Sequence, residues 1–212
     1  MTPVVKICGI TNLADARFAL EAGAEYLGLN FFADSPRFLN LETVAAEAVE
    51  IKNTFPACKL VGVFVNEEIE NVKRLAEICE LDILQFHGDE SPKYCEQFEL
   101  PVWKAFRVKD ASSLEDLEQF LHLSGIVLDA WNRSAFGGTG QTFSWKLIQK
   151  IRNQIPFLIL SGGLKPENVA EAIKTLQPNV IDVCSGVEVA GNPRKKDQAK
   201  IRELFDAMHT KG

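Results

Sequence analysis

The stretch 157–187, FLILSGGLKPENVAEAIKTLQPNVIDVCSGV, decides the fold class of this chain. It opens with an apolar run at 157–161, continues through two glycines, and reaches a second apolar run at 180–184. Neither run alternates apolar with polar residues, which is typical of strands buried on both faces in a parallel sheet. Between the runs, residues 166–176 show the apolar spacing of a helix, with a proline in the first turn. The stretch therefore predicts a strand, a helix and a second, parallel strand.

The same alternation extends along the rest of the chain. The predicted strands number eight, at 4–7, 26–31, 59–65, 83–86, 102–106, 126–130, 157–161 and 180–184. Segments of helical period follow them, at 13–22, 41–53, 67–79, 92–98, 112–121, 144–153, 166–176 and 197–208. Eight strand–helix units in 212 residues predict an α/β fold of the (β/α)₈ barrel type, as one domain over residues 1–212.

A doubly wound open sheet is the alternative architecture for alternating strands and helices. Such sheets usually contain fewer strands, and those that bind dinucleotides carry a GxGxxG turn after the first strand. In this chain the first strand leads instead into Lys6-Ile7-Cys8-Gly9-Ile10-Thr11. We therefore expect the closed barrel.

Composition and charge restrict the class of protein. Hydrophobic residues make up 46% of the chain and charged residues 25%, which are average values for a folded globular protein. Lys and Arg total 23 against 29 Asp and Glu, so the formal net charge is −6. This acidic balance argues against a surface for nucleic acid or for an anionic membrane. The sequence also contains no apolar run that approaches the ~18 residues of a membrane span.

The cysteines and histidines indicate neither a disulfide framework nor a metal site. The five cysteines are dispersed without a CxxC pair, which is typical of reduced thiols in a cytoplasmic protein. The three histidines lack the spacing of zinc ligands. The first residues lead directly into a predicted strand rather than into a secretion signal. We therefore expect a cytoplasmic protein without a bound metal.

Polar residues gather where the predicted strands end. In a (β/α)₈ barrel, catalytic side chains lie at the carboxyl ends of the strands and in the loops that follow them. The residues of this chain that fall there are Cys8, Asn30, Gln85, His87, Arg107, Asp129, Ser161, Asp182 and Cys184. This clustering predicts an active site at that end of the barrel.

Glycines follow the seventh and eighth predicted strands. In these barrels the loops after strands 7 and 8, with the N-terminus of a short extra helix, commonly hold a phosphate group. Gly162 and Gly163 let backbone amides approach an oxyanion, and Ser185-Gly186 would open the extra helix. We expect a phosphate site there, the alternative being that the paired glycines simply form tight turns. The glycine-rich segment 137–140 is equally compatible with a lid over a ligand and with a flexible connection.

Cys8 and Asp129 are candidates for proton transfer. They lie at the ends of strands 1 and 6, which face each other across the mouth of a barrel. A thiol and a carboxyl group on opposite sides of one ligand suit a reaction that removes one proton and donates another elsewhere. The alternatives are that Cys8 is a small buried apolar residue and that Asp129 caps a turn.

A series of motifs runs through the chain in a fixed order. These motifs are Val5-Lys6-Ile7-Cys8-Gly9-Ile10-Thr11, Ser35-Pro36-Arg37, Val61-Gly62-Val63-Phe64, Gln85-Phe86-His87-Gly88-Asp89-Glu90, Leu128-Asp129, Gly137-Gly138-Thr139-Gly140, Gly162-Gly163-Leu164 with Pro166-Glu167-Asn168-Val169, and Asp182-Val183-Cys184-Ser185-Gly186-Val187-Glu188. Together they resemble the phosphoribosylanthranilate isomerase family of tryptophan biosynthesis over essentially the whole chain. Three residues depart from the family pattern: Phe86 stands where leucine is usual, Ser144 where aspartate is usual, and Cys184 where serine is usual. The segment 192–196 is slightly longer than in the family and is expected to be solvated.

The resemblance implies an Amadori rearrangement of N-(5-phosphoribosyl)anthranilate to 1-(2-carboxyphenylamino)-1-deoxyribulose 5-phosphate, without a metal or an organic cofactor. It implies that Cys8 is the general base, that Asp129 is the general acid, and that Arg37 binds the anthranilate carboxylate. It places His87 and Asp182 in the substrate pocket. It assigns the phosphate to a set of loop residues, Gly138, Gly162, Gly163, Ser185 and Gly186.

Two other functions compete with this one. The isomerase of histidine biosynthesis is a similar phosphosugar barrel, but its base is an aspartate where this chain has Cys8. A barrel that binds a phosphorylated ligand without converting it would be favoured if Cys8 or Asp129 were missing, and both are present. We expect a small phosphosugar–anthranilate substrate, no nucleic-acid or membrane partner, and a monomer or weak homodimer.

Overall fold

The barrel predicted from the sequence is confirmed by a computed structural model, which describes residues 2–130 and 141–209. Eight parallel strands form one closed sheet in the order of the chain, and β8 pairs with β1 to complete it. The strands are β1 Val4–Cys8, β2 Tyr26–Asn30, β3 Lys59–Phe64, β4 Ile83–Phe86, β5 Val102–Val108, β6 Gly125–Ala130, β7 Leu158–Ser161 and β8 Val180–Val183.

Helices follow most of the strands and cover the outside of the sheet. They are α1 Leu13–Glu21, α2 Leu41–Thr54, α3 Ile69–Ile78, α4 Pro92–Cys95, α5 Gln141–Ile151, α6 Pro166–Leu176 and α7 Gln198–His209. Local sequence sets several of their starts: the Asn12 side chain accepts the Asp15 backbone N–H at 2.9 Å, and Pro166 occupies the first turn of α6. Over residues 2–130 and 141–209, every helix is too short or too polar to cross a bilayer.

Two predicted helices are wrong in extent or type. The segment 112–121 forms two short 3₁₀ helices, Ala111–Leu114 and Leu117–Phe120, because its apolar residues recur at intervals of three, the period of a 3₁₀ turn. The segment 92–98 is helical only over α4. Tyr94 and Phe98 both pack on Phe86, with ring centroids 5.1 Å from it. One helical turn followed by a bend is therefore enough to bury these two apolar residues, whose spacing had predicted a longer helix.

The inside of the barrel is filled by alternate residues of the strands. Its apolar cluster consists of Val61, Ile83, Trp103, Ala105, Val127, Ile159 and Val180. A second, larger cluster lies between the sheet and the helices. Side chains two residues apart on a strand share a face. Residues that follow the inner cluster by two or four positions therefore point toward the carboxyl-terminal mouth.

A small hairpin follows β8. A 3₁₀ helix, Ser185–Val187, leads into β9 Glu188–Val189 and β10 Asn192–Lys196, which pair in antiparallel fashion. The expectation that 192–196 is solvated is wrong for its last residue. Lys196 is 2% exposed, since its ammonium group binds Glu188 at 3.0 Å and its backbone N–H donates to Asp15 at 2.7 Å.

Candidate active site

Predicted site residues meet at the carboxyl-terminal mouth of the barrel. Asp129 lies two residues beyond Val127, and Asp182 lies two residues beyond Val180, so both carboxyl groups share the inward face. His87, which directly follows β4, lies 3.4 Å from Asp129, measured from its Nε2 atom to a carboxylate oxygen. Cys8 ends β1 and is partly exposed at the mouth.

A buried ion pair lies beneath the mouth. Lys6 and Asp182 are register partners on β1 and β8, and the Lys6 ammonium nitrogen lies 2.9 Å from a carboxylate oxygen of Asp182. Burial raises the pKa of Asp182 to about 6, against the opposing effect of Lys6. Burial acts against the charged form of Lys6, but Asp182 and Cys8 outweigh it and raise the pKa of Lys6 above its ordinary value. Both groups are therefore charged at neutral pH.

The second carboxylate oxygen of Asp182 is buried and has no hydrogen-bond partner among the described residues. A buried acceptor left unpaired destabilises the folded state by about 1–3 kcal/mol. A hydroxyl or amine donor placed against this oxygen would satisfy it.

The Cys8 thiol lies among groups that stabilise its thiolate. Its pKa is lowered well below the ordinary value, most strongly by a hydrogen bond from Cys184, and further by the positive charges of Lys6 and Lys196, against the effect of burial. Gly28, the register partner of Cys8 on β2, leaves room for the sulfur atom, since a Cβ at that position would lie 2.7 Å from it. The surroundings of Cys8 therefore favour the thiolate form of its side chain.

Asp129 is the last member of a short polar chain. The Gln85 side-chain amide donates to Nδ1 of His87 at 3.2 Å, and the opposite ring nitrogen faces Asp129. With the amide assigned in this orientation, the proton of a neutral imidazole sits on Nε2, directed at the carboxyl group. Asp129 is 27% exposed and His87 18% exposed, so both remain accessible to a ligand in the mouth.

A second buried ion pair, between Lys104 and Glu90, fixes the loop that carries His87. Lys104 on β5 binds Glu90 at 3.2 Å and the backbone carbonyl of Gly88 at 2.6 Å. The same carboxylate accepts the backbone N–H groups of Asn66 at 2.8 Å and of Gly88 at 3.0 Å. Both carboxylate oxygens of Glu90 therefore accept hydrogen bonds, which holds the loop after β4 against β5.

A cleft opens beside this loop. Its volume is about 680 Å³, and its lining includes His87, Lys104, Arg107 and Phe32. This volume is comparable to that of small-molecule sites in other proteins, which span roughly 300–1,000 Å³. The cleft gives a ligand in the mouth room to extend past His87.

Arg37 is held by a carboxylate that the sequence analysis did not assign. Its guanidinium group donates to both oxygens of Glu188, at 2.6 and 2.7 Å. Lys196 binds the same carboxylate, and together the two cations keep the pKa of Glu188 below its ordinary value despite burial. The Arg37 side chain passes close to Gly9, next to Cys8, since a Cβ at Gly9 would lie 2.5 Å from Cδ and 3.3 Å from Nε of Arg37.

The glycine loops after β7 and β8 touch each other. Gly162 and Gly163 have φ angles of 88° and 64°, in the left-handed region that favours glycine. A Cβ at Gly186 would overlap the backbone carbonyl oxygen of Leu164. Asn168 at the start of α6 donates to the carbonyl of Gly163 at 3.0 Å and fixes the first loop. The two predicted phosphate loops are therefore adjacent; Gly138 lies outside the described residues.

Sequence reasoning missed Gly28, Glu188 and Lys196, and it left open whether Lys6 points into the barrel. The sequence contained a signal for the pairing of Lys6, because an ionisable residue in an otherwise apolar strand must find a charged partner when it is buried. Glu188 and Lys196 had none, since their pairing depends on the hairpin after β8. Within residues 2–130 and 141–209, no three His, Cys, Asp or Glu side chains converge in a way that would hold a metal ion.

Comparison with known proteins points to a family. A family model described as N-(5'-phosphoribosyl)anthranilate isomerase matches residues 5–207. A relative of that name from Trichlorobacter lovleyi is 44% identical over 202 residues, which cover 95% of this chain and 95% of the relative.

Solved structures agree with this assignment. Monomers generated from the dimeric phosphoribosylanthranilate isomerase of Thermotoga maritima match with a TM-score of 0.84 and 36% identity, covering 99% of this chain and 100% of that one. A phosphoribosylanthranilate isomerase in complex with reduced 1-(o-carboxyphenylamino)-1-deoxyribulose 5-phosphate matches with a TM-score of 0.86 and 36% identity, covering 97% and 98%. With this agreement over the full barrel and the motifs at its mouth, the chain belongs to the N-(5'-phosphoribosyl)anthranilate isomerase family.

Proposed function

We propose that this chain catalyses the isomerase step of its family with Cys8 as general base and Asp129 as general acid. The substrate is N-(5'-phosphoribosyl)anthranilate, and the product is 1-(2-carboxyphenylamino)-1-deoxyribulose 5-phosphate. The observation that carries the assignment is the lowered pKa of the Cys8 thiol at the mouth that also holds Asp129. General bases work best when their pKa lies near the operating pH.

The reaction proceeds in two proton transfers. Asp129, in its protonated form, gives a proton to the ring oxygen of the ribose, and the ring opens to an iminium ion. The Cys8 thiolate then removes the proton from the adjacent carbon, which gives an enolamine that becomes the ketone. His87 contacts Asp129 and orients its carboxyl group.

Arg37 would bind the anthranilate carboxylate with the donors that Glu188 leaves free. Replacing Arg37 by lysine is expected to raise KM about 10–100-fold, because hydrogen bonds to charged groups contribute roughly 1.5–3 kcal/mol and lysine lacks the planar fork. Steady-state kinetics measures the change, and Arg17→Lys, at an exposed ion pair with Glu50 on the outer surface, is the matched control. If the variant and the wild type lose equal affinity for a substrate analogue without the carboxylate, Arg37 has another role.

The phosphate group would lie between the loops after β7 and β8. Replacing Gly186 by alanine is expected to raise KM, because the added carbon overlaps the Leu164 carbonyl and pushes the two loops apart. Gly191→Ala is the control, since a Cβ there meets open space; its φ of 74°, which Gly186 does not share, gives that variant backbone strain outside the two loops. An unchanged KM in Gly186→Ala, with a folded protein, would move the phosphate elsewhere.

The direct test of the activity is an assay with the substrate itself. Purified protein is incubated with N-(5'-phosphoribosyl)anthranilate, and the loss of its fluorescence is followed with time. We expect turnover that survives exhaustive chelation, since the proposed chemistry needs only proton transfers. Absence of turnover in a folded protein, or recovery that depends on added Zn²⁺ or Mg²⁺, would contradict the proposal.

We further propose that residues 1–212 form one barrel domain that acts in the cytoplasm as a monomer or weak homodimer. The family match over residues 5–207 supports the single domain. The dimeric relative from Thermotoga maritima supports the homodimer as one of these two states. Light scattering across a concentration series tests the oligomeric state, and a tight dimer at all concentrations would contradict it.

A further inference from the structure

Two cysteines lie side by side at the mouth of the barrel. Ile7 on β1 is the register partner of Val183 on β8, so Cys8, the last residue of β1, and Cys184, which directly follows β8, lie at the same level of neighbouring strands. The Cys184 sulfur also lies over the Cys8–Gly9 segment, because a Cβ at Gly9 would be 3.1 Å from it. Neighbouring strands are about 4.8 Å apart, which falls within the roughly 4.4–6.8 Å between Cα atoms that a disulfide can bridge.

We propose that Cys8 and Cys184 form a site of reversible oxidation, at which hydrogen peroxide joins the two sulfur atoms in a disulfide. The pair is placed to react by its adjacency and by its partial exposure at the mouth. Lys196 lies 3.9 Å from the Cys184 sulfur and adds positive charge beside the two thiols.

The chemistry balances with peroxide as the only oxidant. The Cys8 thiolate attacks one peroxide oxygen, so that an S–O bond forms, the O–O bond breaks and hydroxide leaves. The Cys184 thiol then attacks the sulfenic sulfur of Cys8, an S–S bond forms, and the hydroxyl group leaves as water with the proton of that thiol. The two sulfur atoms together lose two electrons, which reduce the peroxide.

The other cysteines are poor competitors for the oxidant. Cys58, Cys79 and Cys95 are buried, and burial raises their pKa values to about 12, 11 and 11. Oxidation depends on thiolate character and access. The thiolate of Cys8 has both, since its pKa is lowered and the mouth admits small molecules. Oxidation should therefore begin at Cys8.

The experiment compares the wild type with Cys184→Ser, and uses Cys58→Ala as the matched control. Each protein is treated with dilute peroxide and then with catalase, free thiols are alkylated, and peptides are mapped by mass. In the wild type and in Cys58→Ala we expect a linked peptide pair containing Cys8 and Cys184, lighter by two hydrogen atoms, which dithiothreitol separates. In Cys184→Ser, excess peroxide should carry Cys8 to the sulfinic acid, which dithiothreitol does not reduce.

Activity, expressed relative to each untreated protein, gives the second readout and rests on the proposed role of Cys8 as base. The oxidised wild type should lose activity and regain it with dithiothreitol, whereas Cys184→Ser should stay inactive. A wild type in which Cys8 becomes sulfinic while Cys184 remains a free thiol would overturn the site. A disulfide that forms without loss of activity would instead overturn the assignment of Cys8 as base.

Discussion

Replacing Cys8 by serine is expected to lower kcat/KM about 10²–10⁴-fold, the usual contribution of a general acid–base group. A serine hydroxyl matches the thiol in size but is a far weaker base at neutral pH. The wild-type thiol owes its basic form to Cys184, Lys6 and Lys196, and those groups cannot ionise a hydroxyl to a comparable extent. The measurement is steady-state kinetics, with circular dichroism to show that the variant is folded.

The variant Cys8→Asp separates a base from a packing residue. Because a base must be deprotonated to act, kcat/KM of the wild type should fall as pH drops through the pKa of Cys8, which lies below the ordinary thiol value of ~8.5. The aspartate variant should recover part of the activity that serine loses, with this acidic limb moved toward a carboxylate pKa of ~4. A packing role predicts the reverse order, with an active serine variant and an unstable aspartate variant. That result would leave the mechanism without its base.

Replacing Asp129 by asparagine is expected to lower kcat about 10²–10⁴-fold, because the amide keeps the shape of the side chain and removes its transferable proton. Asp206→Asn is the matched control, since Asp206 is an exposed carboxylate on α7, outside the cleft. Rapid-quench measurement of a single turnover distinguishes a slower chemical step from slower product release. A variant that retains most of its kcat would exclude Asp129 as the acid.

Strand positions could be predicted closely from the sequence, and helix types less so. The runs at 83–86 and 166–176 have the same bounds in the structure as in the prediction, because buried parallel strands and an amphipathic helix with a proline start leave distinct patterns. The segment 112–121 could not be assigned correctly, since apolar residues at intervals of three fit both an α-helix and a 3₁₀ helix. The first of its two 3₁₀ helices is capped by the carboxylate of Asp110.

The residues of the candidate site also fall into those that the sequence could place and those that it could not. Cys8, His87, Asp129 and Asp182 could be placed at one end of the barrel, because a strand that ends at a polar residue fixes which end of the sheet that residue occupies. The direction of Lys6 could not be settled by alternation alone, and the structure turns it inward to Asp182. The ion pair between Arg37 and Glu188 also could not be predicted, since Glu188 is 151 positions away in the chain and reaches Arg37 through the loop after β8.

The seam between β1 and β8 makes the order of synthesis matter. It joins Lys6 to Asp182 across 176 positions, so the first and the last strands of the sheet must meet before the buried charge has its partner. Contacts of such long range form slowly, because the chain between them must be closed first. During translation β1, which carries Cys8, emerges before the other seven strands and must wait for β8. Before this pairing, the Lys6 ammonium group has no carboxylate partner and the pKa of the Cys8 thiol is not yet lowered. The barrel therefore acquires both its stability and its chemistry when β8 pairs with β1.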